Sequence, residues 1–139
     1  MSVNGIFCNK TLTGRVDMVR TILVVESDST VCSLVRYSLL PHNYAVLEAA
    51  DLGEALAHLR SGKMPDLVVV GSDASDRKHA ELIREIRGYP GLRFVPILMM
   101  AGPETLGDQM EWKEAGATCW ITKPFSHEKI REMVELLIF

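Results

Sequence analysis

The sequence predicts a doubly wound α/β domain in which five short parallel strands alternate with five helices. Three observations carry the prediction. Five apolar runs of four to six residues recur along the chain, stretches of helical period separate them, and glycine or proline marks most of the joins.

The first run, Thr21–Val25, carries no charge, as a strand covered on both faces does. Val31, Leu34, Val35 and Leu39 then form a helical stripe, with Asp28 or Ser29 as its cap and Pro41 as its stop. Tyr44–Leu47 is the second run, and Leu52, Ala55, Leu56 and Leu59 form the next stripe, closed by Ser61-Gly62. Leu67–Val70 is the third run. His79, Leu82, Ile83 and Ile86 follow it and end at Gly88. After Val95–Met100 comes the least regular segment, Glu104–Ala115, with mainly Leu106 and Met110 on one side and Gly116 at its end. Thr118–Ile121 is the fifth run. Ser126 caps a last helix striped by Ile130, Met133, Val134, Leu137 and Ile138. Five β-α units in this order imply right-handed crossovers and helices on both faces of the sheet.

A chain of 139 residues suits one domain, and 47% hydrophobic with 24% charged residues argues against disorder. A domain this size buries roughly two-thirds of its unfolded surface and needs no metal or disulfide staple. Eighteen acids against 15 bases give a net charge of −3 and a pI near 5.8, which disfavours nucleic acid as a partner. Cys8, Cys32 and Cys119 fit no ligand or disulfide spacing and read as free thiols of a reducing compartment. No stretch has the length of a signal peptide or membrane span, so a cytoplasmic protein without a membrane partner is expected.

Residues 1–20 read as an N-terminal extension to a domain over 21–139, with Met18 an alternative start. The extension holds three bases and one acid, leaving 12 bases and 17 acids in the domain.

Ligands of open α/β sheets sit at the carboxyl ends of the strands. Those ends read Glu26-Ser27-Asp28, Gly71-Ser72-Asp73, Ala101-Gly102-Pro103 and Thr122-Lys123-Pro124-Phe125. With Ile22-Leu23-Val24-Val25-Glu26, Pro65-Asp66-Leu67-Val68-Val69-Val70, Pro96-Ile97-Leu98-Met99-Met100, Ala115-Gly116-Ala117 and Lys123-Pro124-Phe125, the chain resembles the receiver domains of two-component response regulators over residues 20–139. The resemblance implies a flavodoxin-like (βα)5 sandwich with strand order 2-1-3-4-5. It also implies an aspartate phosphorylated at the end of the third strand and Mg²⁺ held by an acidic pair after the first. A Thr or Ser after the fourth strand and a Lys after the fifth would contact the phosphoryl, and the Lys-Pro bond is often cis. Mg²⁺ and the lysine would neutralise charge on the transferring group.

This chain departs from that pattern at the reactive positions. Gly71 stands at the acceptor position and has no nucleophile; the acidic pair is Glu26-Ser27, and the hydroxyl position is Ala101. Lys123 alone is unchanged. Glu26, Ser27, Gly71, Ala101 and Lys123 therefore read as a degenerate phosphorylation pocket without catalytic residues. No metal or other cofactor is expected, although Glu26 could retain a weakened Mg²⁺ site. Lys123 could instead pair with Glu26 or Asp73 across the rim.

The expectation is a non-enzymatic signalling module, a pseudo-receiver, that acts by protein–protein contact. Its partners would be a histidine kinase, an output domain or a second copy. In the family the usual partner face is formed by the fourth helix, fifth strand and fifth helix. Here Trp112 and Trp120 are either its packing or its anchors. One alternative keeps phosphorelay through a displaced carboxylate, Asp28 or Asp73, whose plainer reading is a cap or loop acid. Another is a small-molecule binder in the emptied rim. Arg77, Lys78, Arg84, Arg87 and Arg93 read as a solvated basic face, and the four histidines show no ligand spacing.

Overall fold

The computed structural model of the chain describes residues 19–71 and 79–138. The elements are β1 Arg20–Val25, α1 Ser29–Leu39, β2 Tyr44–Ala49, α2 Leu52–Arg60, β3 Leu67–Gly71, α3 His79–Gly88 and β4 Ile97–Ala101. A 3-10 turn at Pro103–Asp108 leads into α4 Gln109–Ala115, followed by β5 Cys119–Thr122 and α5 His127–Ile138. The strands form one parallel sheet of order β2-β1-β3-β4-β5, the expected topology.

β1, β3 and β4 form the middle of the sheet, and both of their faces are covered. Ile22 and Val24 of β1 pack with Cys32 and Val35 of α1 and with Ile130 and Val134 of α5. Leu23 and Val25 point the other way, into a layer with Ala55 of α2, Ile83 of α3 and Trp112 of α4. This two-residue alternation divides the core into two layers about one sheet. Among the described residues no helix is long and apolar enough to cross a membrane.

Several boundaries differ from the sequence reading. Arg20 belongs to β1 rather than to the extension, because it pairs with Tyr44, and β2 runs on to Ala49 opposite Val25. The rest of the extension lies outside the described residues. β4 begins at Ile97, since the Val95 N–H turns back to the Leu92 carbonyl at 3.4 Å. The segment after β4 is not one helix. Pro103 opens a 3-10 turn with no side-chain cap, and the α-helical part has only seven residues. Its inward residues are Trp112 and Ala115, whereas Met110 is 69% exposed.

Candidate functional site

The rim at the carboxyl ends of β1, β3 and β5 brings together Glu26, Gly71 and Lys123. Glu26 follows directly on β1 and its N–H donates to the Ala49 carbonyl of β2 at 2.9 Å. This bond anchors its backbone, and the side chain is only 5% exposed. Its Oε2 accepts the Asp28 N–H at 3.0 Å, and its Oε1 accepts the Lys123 ammonium at 3.3 Å. An ion pair this well covered is screened little by water. The main-chain N–H supplies a second bond to the carboxylate, as a buried carboxylate needs.

Gly71 ends β3, paired with Met100 of β4. The Glu26 carboxyl group fills the space above its Cα. A Cβ built on Gly71 would lie 2.5 Å from Glu26 Cδ and closer still to Oε1. Lys123 is positioned by its N–H, which donates to the Ala101 carbonyl at 2.7 Å, and the Lys123–Pro124 peptide behind it is cis. Phe125 then packs into the layer of α1 and α5.

The remaining residues singled out from the sequence have other surroundings. Ala101 closes β4 with its methyl fully buried in the layer of α2, α3 and α4. Ser27 is exposed. Asp28 is the N-cap of α1, its Oδ1 accepting the Thr30 N–H at 2.9 Å. Asp73, with Ser72, Ser75, Arg77 and Lys78, lies outside the described residues. A cleft of about 370 Å³ opens beside Gly71, floored by Val25, Leu52 and Leu82 and edged by Glu26, Asp51 and Glu85.

Divalent magnesium requires several oxygen ligands in near-octahedral array. Among the described residues Glu26 is the one carboxylate at the centre of this rim, and both of its oxygens already accept protein donors. Among the described residues no group of three or more His, Cys, Asp or Glu is placed to hold a metal ion. The described residues of this rim do not by themselves fit Mg²⁺.

Two readings need correction. Trp112 is 1% exposed and belongs to the core, so it is no surface anchor; its ring meets Trp120 edge-on at 6.5 Å and 68°. Trp120 is half-buried, with its inner side on the same layer. Arg87 is not part of a solvated face. Its guanidinium donates to the carbonyls of Leu92 at 2.9 Å, Arg93 at 3.2 Å, Val95 and Gly116 at 2.6 Å. Burial lowers its pKa. A sequence signal was present in the i, i+4 step from Ile83, which places Arg87 at the border of the inward stripe. A further unforeseen contact is the Cys32 thiol, which donates to the Glu26 carbonyl at 3.3 Å.

Fold and rim together define a doubly wound α/β domain with a carboxylate–lysine pair at the carboxyl edge of its sheet. The chain belongs to the response regulator receiver domain family, which matches residues 22–135. It is 31% identical over 121 residues to the alkaline phosphatase synthesis transcriptional regulatory protein PhoP of Bacillus subtilis, covering 87% of this chain and 49% of that protein. It is 30% identical over 115 residues to the sensor histidine kinase CheAY of Helicobacter pylori, covering 82% of this chain and 14% of that protein. The chain thus spans half or less of the length of these relatives. Among solved structures, the chemotaxis response regulator CheY4 of Vibrio cholerae superposes with a TM-score of 0.77 at 26% identity, covering 86% of this chain and 99% of that one.

Proposed function

We propose that this receiver domain is a pseudo-receiver, a signalling module that works by protein–protein contact without aspartyl phosphorylation. The observation that carries the reading is at Gly71. The acceptor position has no side chain, and the carboxyl group of Glu26 occupies the space an acceptor would use. Ala101 offers no hydroxyl to a phosphoryl oxygen. The partners in this reading are a histidine kinase, an output domain or a second copy, and the domain itself is no enzyme.

The surface assigned to partners is that of α4, β5 and α5. With Trp112 in the core, its aromatic anchor is Trp120. Met110 and Leu136 add apolar area, 69% and 72% exposed. Arg131 and Glu135 of α5 bond Ser38 and His42 on the α1 side. Leu136 lies about 100° further round the helix from Glu135, away from that contact.

Incubation with acetyl phosphate and Mg²⁺ followed by intact-mass measurement tests the reading. No phosphoryl adduct is expected. A stable adduct that disappears in Asp73→Ala or Asp28→Ala would establish the displaced-carboxylate phosphorelay instead. The cleft beside Gly71 supports a second reading, a small-molecule binder. A thermal shift with nucleotides or flavins would favour it, and uniformly flat responses would remove it.

A further inference from the structure

We infer that Glu26 is a built-in stand-in for the missing acceptor carboxylate, and that it positions Lys123 permanently. The inference deepens the pseudo-receiver reading and rests on it. Three contacts carry it. The Glu26 carboxyl group reaches from β1 into the volume a side chain on β3 would take, close above Gly71. There it pairs with Lys123 at 3.3 Å. The Asp28 N–H holds its other oxygen at 3.0 Å, which fixes the orientation.

The extra methylene of glutamate over aspartate makes this reach possible, and the lack of a Cβ at Gly71 leaves the room. The two changes therefore depend on each other. The ammonium of Lys123 supplies the positive charge that the carboxylate needs, so the pocket is neutralised by its own lysine and needs no divalent cation. Lys123 is followed by Pro124 and by Phe125, which packs into the α1–α5 layer. The pair consequently ties the rim to the start of α5. In this arrangement the loop from β5 to α5 is set in one position by the chain itself, and no phosphoryl group is needed to place it. Glu26 is a positioning residue in this scheme, acting through Lys123.

Moving the carboxylate from one strand to the other tests the idea. Thermal unfolding is measured for Glu26→Ala, Gly71→Asp and the double variant, each with Lys123 and with Lys123→Met. Gly71→Asp alone should lower Tm, because its side chain meets that of Glu26. Glu26→Ala should lower Tm and abolish the effect of Lys123→Met. The double variant should recover Tm and restore the sensitivity to Lys123→Met, which a purely space-filling role of Glu26 would not produce. Glu26→Gln, which keeps the volume, should lose the sensitivity like Glu26→Ala. If Lys123→Met lowers Tm equally in all backgrounds, or the double variant is no more stable than Gly71→Asp, the stand-in role is wrong. Should a single variant fail to fold, a folded double variant supports the exchange and an unfolded one overturns it. The cycle reads stability, whereas the acetyl phosphate experiment reads phosphorylation, so the two proposals can fail separately.

Discussion

Glu26 and Gly71 share one volume: the carboxyl carbon of the first lies 2.5 Å from the point where a Cβ on the second would stand. Glycine in a strand interior is ordinarily a weak point, and alanine there is often tolerated or favourable. Here the added methyl must push the carboxylate off Lys123 and the Asp28 N–H. Gly71→Ala is expected to destabilise by about 1–3 kcal/mol, the usual range for overpacking. In a Glu26→Ala background the same change should cost little. Urea denaturation of the four proteins measures the coupling directly.

Loss of the lysine leaves a covered carboxylate without its cation. Lys123 is itself 25% exposed, so water can partly replace it. Lys123→Met should therefore destabilise by about 1–3 kcal/mol, below the cost of breaking a fully buried pair. The free energy from denaturant titration should respond weakly to added salt, because the Glu26 end of the pair is covered. Strong salt dependence would place the pair in water.

Arg87 joins α3 to the loop before β4 and to the turn before β5 through four carbonyl oxygens. A lysine has neither the planar fork nor enough donors for this arrangement. Arg87→Lys and Arg87→Ala should both destabilise by about 2–4 kcal/mol, since half-buried carbonyls lose their donors. Rescue by lysine would show that only the charge matters.

Burial raises the Cys32 thiol from 9.0 to about 11, aided by Glu48 and Glu26 nearby. The folded chain thus holds this proton where the unfolded chain releases it. The stabilisation is complete below pH 9 and is lost as pH rises toward 11. Denaturant midpoints over that window should fall more steeply in the natural chain than in Cys32→Ala. Equal slopes would contradict the burial effect.

The two tryptophans should separate in their behaviour. Trp112 is core, and Trp112→Ala is expected to cost about 3–5 kcal/mol of stability. Trp120→Ala should cost less stability and instead weaken self-association, read by sedimentation velocity in the analytical ultracentrifuge. A stability loss as large as that of Trp112→Ala would make Trp120 a packing residue only.

By itself, the sequence determined the class of fold and the order of its parts. Short, β-branched apolar runs such as Leu67–Val70 between turn residues read as strands covered on both faces, and stripes such as Ile130, Val134 and Leu137 read as helices with one face on the core. It also determined which chemical groups the rim lacks, because Gly71 and Ala101 carry no reactive atom wherever they lie. Tertiary structure decided how the remaining groups are used. That Glu26 meets Lys123 depends on the strands converging, with residues 97 positions apart brought to 3.3 Å. Local periodicity holds no information about such a contact. The same limit explains Trp112 and Arg87. Amphipathic pattern is weak in a seven-residue helix and ambiguous at a stripe's border, so burial there was settled by what the neighbouring elements covered.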